Sequence, residues 1–212
     1  MFYLVKTPGW LKKLYKRYTW HINTSRKTLY LSFDDGPHPS ITPFVLDELK
    51  KYNARATFFC IGKNVASHPD VYRRILNEGH AVGNHTNDHL NGWKTSDDIY
   101  MENIKQAGRI IDSTLFRPPY GRMKKTQAGK LLAVRSNVRI IMWDVLSGDF
   151  DTGISKEKCL RNVLRNSSAG AIIVFHDSEK AEERMRFALP QVLKYFSEKE
   201  YFFGKIDEEQ TP

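Results

Sequence analysis

Cysteine is scarce: Cys60 and Cys159 are the only two, far apart and in apolar surroundings, Phe-Phe-Cys-Ile and Lys-Cys-Leu. That excludes a disulfide framework and predicts two small buried hydrophobes. Long apolar runs are missing as well. The stretch from Phe2 to Val5 is too short for the core of a secretory signal and far short of a membrane span. No export signal is readable, so the expected location is cytoplasmic or peripheral to a membrane. Nor is there an RNA-binding signature, a zinc-finger pattern or a basic zipper. The 33 Lys and Arg exceed the 24 Asp and Glu by 9, which predicts a surface that attracts anions such as acidic glycans or lipid headgroups. Only bulk charge favours nucleic acid, and none is expected as a partner.

What is present is ordinary globular composition, 41% hydrophobic and 27% charged over 212 residues, enough for one domain with a sizeable core. Short β-branched or aromatic runs at 28–33, 56–61, 80–83, 115–117, 139–145, 171–175 and 201–206 read as strands. Between them lie segments with helical spacing: Ile104, Ala107 and Ile111; Leu160, Val163 and Leu164; Leu189, Val192, Leu193 and Phe196. This alternation predicts an α/β fold, a distorted and incomplete (β/α) barrel of about seven parallel strands, with an open doubly wound sheet as the alternative. Residues 1–27 form a lead-in whose segment 8–18 reads as a basic amphipathic helix, with Trp10, Leu11, Leu14, Tyr15 and Tyr18 on one face. It is expected to cap the barrel bottom, with weak membrane-surface contact as the other reading. Residues 28–206 make the strand-and-helix domain, and 207–212 a polar, frayed tail.

Most strands end on chemically capable residues, and in parallel α/β folds those ends open on one face. Asp34 and Asp35 end the first strand, before a Gly-Pro turn. Adjacent residues in an extended chain point apart, so one can bind a cation while the other acts as a base; an acidic turn is the plain alternative. His85 and His89, four apart, are expected to share one face of a helical turn. Two imidazoles and one carboxylate leave a coordination position open for water, as a catalytic site requires. Arg117, beside two prolines, can hold a carboxylate by a two-pronged hydrogen bond. His176 closes a buried strand and is a natural proton donor near neutral pH.

These motifs, in this order, resemble the polysaccharide deacetylase family, also called the NodB homology domain or carbohydrate esterase family 4. Phe33-Asp34-Asp35-Gly36-Pro37 resembles the first family motif, His85-Thr-Asn-Asp-His89 the second, Arg117-Pro-Pro-Tyr120-Gly121 the third and Val174-Phe-His176 the last. The resemblance implies that Asp34 is the catalytic base, that Asp35, His85 and His89 bind one divalent metal ion, zinc first and cobalt or another first-row ion next, and that Arg117 steadies Asp34. It further implies that the Tyr120 N–H binds the oxyanion, that His176 is the general acid oriented by Asp149, and that Val174 lines the acetyl pocket. The fourth motif departs from the family form: Leu146 and Phe150 stand where many members carry Asp and Trp, which alters the sugar-binding wall.

The implied reaction is hydrolysis of the acetamide of an N-acetylated amino sugar in a glycan. An O-acetyl esterase, an amidase acting on a small cyclic imide and a non-catalytic glycan-binding module are the alternatives.

Overall fold

The computed structural model describes residues 3–206, so the tail 207–212 lies outside the described residues. Eight strands alternate with helices: β1 Thr28–Asp34, β2 Thr57–Cys60, β3 Ala81–Asn84, β4 Leu115–Phe116, β5 Arg139–Ile140, β6 Val145–Leu146, β7 Ile172–His176 and β8 Phe202–Phe203. The helices are α1 Gly9–Leu14, α2 Ile41–Lys51, α3 Gly62–Ser67, α4 Pro69–Asn77, α5 Asp97–Ala107, α6 Lys125–Val134, α7 Lys156–Asn166 and α8 Glu182–Ser197. All ladder pairs are parallel, in the order β5-β4-β3-β2-β1-β7-β6, with β8 added to the start of β1. Seven strands thus curl into a partial barrel, as the alternation predicts.

Strand periodicity sorts the core. Along β1, Leu29, Leu31 and Phe33 point to the helices and join the largest apolar cluster, while Tyr30, Ser32 and Asp34 take the other face, toward the barrel interior. Phe33 stacks between Phe58 and Phe175, ring centroids 5.1 and 6.1 Å away. Outside, α8 seals that cluster with Met185, Ala188, Leu189, Val192, Leu193 and Phe196, all buried. Cys60 and Cys159 are buried free thiols.

One predicted strand divides. The run 139–145 becomes β5 and β6, which lie on opposite rims of the sheet. A partial barrel has a seam, and the chain crosses it here, leaving the backbone of residues 140–146 in need of partners. The N-terminal segment supplies several of them. Leu146 N–H donates to the Val5 carbonyl (2.8 Å), Thr7 N–H to Asp144 (2.9 Å), Thr19 N–H to Ile140 (2.8 Å) and Met142 N–H to Thr19 (2.7 Å). The segment therefore lies along the seam, not under the barrel as its pattern predicts.

The helix is also shorter than the pattern implies: α1 has six residues and buries none of them. Its apolar stripe is split between two surroundings. Leu11, Tyr15 and Tyr18 pack on a satellite cluster, whereas Trp10 and Leu14 stay 65% and 61% exposed. Among the described residues no helix is long and apolar enough to cross a membrane.

A buried carboxylate locks the segment down. Asp144 receives Lys6 Nζ (2.8 Å), Lys12 Nζ and His21 Nδ1 (3.3 Å). Burial alone would raise its pKa, but the bonds from His21, Lys12 and Lys6 outweigh that and hold it well below the usual carboxylate range. Its contribution to stability is thus present above that range and lost as the pH falls through the lowered value. Asp144→Ala should cost about 2 kcal/mol, since three partners return partly to water. A melting temperature lowered by roughly 5 °C, with faster tryptic cleavage within residues 6–17, would register the loss; unchanged cleavage would show that the backbone bonds hold the segment unaided.

Candidate active site

The strand ends converge as parallel topology requires. Asp34 pairs in register with His176 of β7, and Asn84 at the end of β3 pairs with Phe116 of β4, so His85 and Arg117 leave the sheet side by side. Asp35 follows in a left-handed conformation (φ 80°), which turns its carboxylate away from that of Asp34. The Gly36–Pro37 peptide is cis.

Asp35, His85 and His89 form a group whose ligand atoms lie within 4.8 Å of one another. Asp35 Oδ1 is 3.1 Å from His89 Nε2 and 3.7 Å from His85 Nε2. The helical turn expected for the two histidines is absent. Residues 85–91 are irregular, and convergence comes from left-handed Thr86 and His89 (φ 64° and 56°). The Asn84 side chain holds this loop, accepting from the Thr86 N–H (2.8 Å) and donating to the Ile104 carbonyl (2.9 Å).

His85 Nδ1 lies 2.7 Å from the Arg117 carbonyl, which can only accept, so the proton sits on Nδ1 and the Nε2 lone pair faces the cluster. Burial lowers the His85 pKa to about 4, which keeps the ring in its neutral, ligating form. For Asp35, burial is outweighed by contact with His89 and the charges of His176 and His85, and its pKa lies well below the ordinary range. Its Oδ1 is buried without a well-directed hydrogen bond. A buried carboxylate oxygen without a well-directed hydrogen bond, beside two imidazole nitrogens, is a donor set that fits a divalent ion of the zinc type.

Arg117 lies wholly buried beneath Asp34, its guanidinium 3.9 Å from the Phe59 ring centroid. The two-pronged grip on a carboxylate predicted for it does not form. Only Nη1 meets Asp34 Oδ1 (2.6 Å), and it also reaches Ser32 Oγ (2.8 Å). Nε and Nη2 donate instead to the Ile141 and Met142 carbonyls (3.1 and 3.0 Å). The fork is spent on fixing the cation, since a buried guanidinium must fill its donors.

His176 and Asp149 are joined by two hydrogen bonds. Asp149 Oδ1 lies 2.8 Å from His176 Nδ1, and Oδ2 accepts the His176 backbone N–H at 2.7 Å. Arg184 Nε anchors the Asp149 carbonyl (2.6 Å). Burial would lower the His176 pKa, but the charge and hydrogen bond of Asp149, with Asp35 and Asp34 behind, raise it to about 10. A histidine so raised stabilises the fold fully below its ordinary 6.5, and the contribution fades as the pH climbs through about 10. Asp149→Asn should return the His176 titration, read by imidazole NMR, toward 6.5; a midpoint left near 10 would assign the shift to other groups.

Tyr120 is left-handed (φ 61°), and the next two amides close the turn onto the Pro118 and Pro119 carbonyls while its own N–H stays outside those bonds. Val174 is buried on the same strand face as His176, between Ser32 and Leu146 in register. The Phe150 ring meets His176 edge-on at 5.2 Å.

Three supports lie outside the sequence-predicted set. Ser32, mid-strand, steadies Arg117 as above. Asn64 Nδ2 donates to the Asp35 carbonyl (2.7 Å). Asp177, buried next to His176, accepts from the Gly36 N–H (3.0 Å) and the Thr42 hydroxyl, and a Cβ on Gly36 would stand 2.0 Å from Asp177 Oδ2. Burial raises its pKa to about 7, with Asp35 and Asp34 adding to the shift. Ser32 and Asp177, directly flanking the first and last motifs, were the available signals, too common to single out.

Residues 21–135 match the polysaccharide deacetylase family. A peptidoglycan-N-acetylglucosamine deacetylase of Bacillus cereus is 31% identical over 90% of this chain and 91% of its own length. Another from the same organism is 38% identical over 70% of this chain, which spans only 55% of that relative. The crystal structure of a peptidoglycan N-acetylglucosamine deacetylase superposes with a TM-score of 0.84 at 32% identity, covering 94% of this chain and 95% of the other. Fold, ordered motifs and relatives agree, and the chain belongs to the polysaccharide deacetylase family.

Proposed function

We propose that the chain is a metal-dependent hydrolase that removes acetyl groups from N-acetylated amino sugars of a glycan. The observation that carries this is the juxtaposition of Asp34, gripped by Arg117, and His176, gripped by Asp149, beside a three-residue group that could hold a metal ion. When bound by Asp35, His85 and His89, a divalent ion, zinc foremost, supplies Lewis-acid chemistry, polarising a carbonyl and acidifying a water.

The chain's own groups do the rest. Asp34, held by the Arg117 guanidinium, takes the proton of the attacking water. The free N–H of Tyr120 offers a donor to the oxygen that gains charge in the transition state. Val174 forms part of a close-fitting wall for the acetyl methyl. His176, kept cationic by Asp149, gives its Nε2 proton to the departing nitrogen, so the products are a free amine and acetate. An amine leaves poorly unless protonated, so a cationic histidine favours an amide over an ester as substrate.

Acetate release from fully N-acetylated and O-acetylated glycans, with zinc or cobalt added, tests the reading. Release from the N-acetylated set alone is the expected result, and release from O-acetyl esters alone overturns it. The exposed side of α1 and the turn after it, with Trp10 and Leu14 near Lys13, Lys16 and Arg17, supports a weak contact with anionic lipid. Salt-sensitive binding to anionic vesicles is the corresponding observation, and no binding at low salt dismisses it.

A further inference from the structure

The strands have two ends, and the second also carries unspent chemistry. Where β3 finishes, His85 joins Asp35 and His89; where β2 and β3 begin, the turns that lead into them enclose a cavity of about 290 Å3. It is small for a ligand site, with room for one compact group. Apart from Ala54, every side chain in its lining is polar: two cations, two carboxamides, one carboxylate and one imidazole.

The acids around the cavity are already committed. Glu78 and Asp47 receive Arg74 Nε and Nη2 (2.6 and 2.5 Å), and Glu48 receives Lys51 Nζ (2.5 Å). The two lining cations, Lys50 and Arg55, have no ion-pair partner among the described residues. Nor are they needed as caps. Helices α2 and α4 both end here, but backbone N–H groups meet their last carbonyls, Ala54 and Asn53 meeting Leu49 and Lys50, His80 and Gly79 meeting Ile75 and Leu76. The Arg55 guanidinium lies against Gly79, where a Cβ would stand 3.1 Å from Nε, and Nη1 alone is bonded, to the Ala54 carbonyl at 3.3 Å. Its other donors remain for a ligand.

His80 supplies a fixed donor. It is 5% exposed, and its ring meets Phe58 edge-on at 5.5 Å. Its Nδ1 accepts the Ala56 N–H (3.2 Å), so the ring proton sits on Nε2, which has no partner among the described residues and belongs to the cavity lining. Burial, then the charge of Arg55, lowers the His80 pKa to about 4, which keeps the ring neutral; Lys205 and Arg74 act in the same direction and Glu78 against them. A buried N–H donor beside two unneutralised cations fits an oxyanion, and two cations match a doubly charged one. We infer that this cavity binds a phosphate group in its doubly charged form, free or carried by a sugar monophosphate, at the end of the barrel opposite Asp35, His85 and His89.

Calorimetric titration with inorganic phosphate and with glucose 6-phosphate, at constant ionic strength and with and without zinc, tests this. Saturable binding of at least one probe is expected, equal in the two metal states. Arg55→Gln and Lys50→Gln, at half-exposed and exposed positions, should each weaken it by about tenfold, the worth of one charge-assisted hydrogen bond. Lys158→Gln, which removes an exposed cation from α7 outside the lining, should leave it unchanged. Melting curves check that the variants fold, and if one does not, the other decides. Dimethyl phosphate, with a single charge, should bind at least about tenfold more weakly than the better probe. Comparable binding of the two probes makes free phosphate sufficient, and tighter binding of glucose 6-phosphate makes the sugar monophosphate the ligand; both results support the site. Binding that requires zinc places the phosphate at the metal group and overturns the inference. So do equal losses in all three variants, which would reflect bulk charge alone, no loss in either Arg55→Gln or Lys50→Gln, equally tight dimethyl phosphate, or no saturable binding of either probe by the wild type.

Discussion

His85→Ala or His89→Ala should release the divalent ion and with it all measurable acetate release. Three ligands are the minimum that leaves an open position while still gripping the ion, so losing one removes most of the affinity. The two variants should differ in a second respect. His85 is buried, bonded through Nδ1 to the Arg117 carbonyl, so His85→Ala also leaves a cavity and an unpaired acceptor next to the arginine under Asp34. His89 is a quarter exposed and lies in an irregular loop, so its removal should leave the melting temperature of the metal-free protein nearly unchanged. Elemental analysis and calorimetry read both effects. Full metal occupancy in either variant would remove that residue from the site.

Asp34→Asn and His176→Ala should both keep the metal, because neither residue belongs to the three-residue cluster, and both should lower turnover by about 10²- to 10⁴-fold. Their substrate dependence separates them. An activated aryl acetate departs with little help, whereas an amine must be protonated, so His176→Ala should harm amide hydrolysis far more than ester hydrolysis. Asp34→Asn should harm both, since both need the water deprotonated. It also leaves the buried Arg117 charge without its carboxylate, a cost of about 3–5 kcal/mol that should appear in the melting curve. If His176→Ala slows amide and ester equally with metal still bound, His176 is not the leaving-group acid.

The parts of this geometry that were legible in the sequence share one property: each is an interruption of an apolar run. A polar residue directly after Phe33, at Arg117 after Phe116 or at His176 after Phe175 costs burial energy unless it is used, and parallel strands deliver all such interruptions to one face. Spacing was a poorer guide than position. His85 and His89 meet through two left-handed residues, a backbone state that no side-chain pattern announces. Arg117 was read as a fork for a carboxylate, but whether a guanidinium spends its donors on side chains or carbonyls depends on what lies around it. The seam was invisible for a plainer reason: it is joined by backbone groups of residues 5, 7 and 19, and every residue type carries those. Nothing in the sequence ties Lys6, Lys12 and His21 together until Asp144 is seen between them.

That seam bears on the order in which the molecule assembles. Residues 6, 19 and 21 bridge to 145, 141 and 171, and Lys6 also reaches the Asn166 carbonyl, 160 positions along the chain. Contacts of such separation carry the largest loop-closure entropy and form late. The neighbouring strands β1, β2 and β3, by contrast, join through short crossovers and can nucleate early. The segment is synthesised before its partners and is therefore among the last to find its place. During synthesis it waits unpaired, its tyrosines and tryptophans exposed, until the strand that contains His176 has emerged, which makes it the part of the chain most in need of protection from premature association.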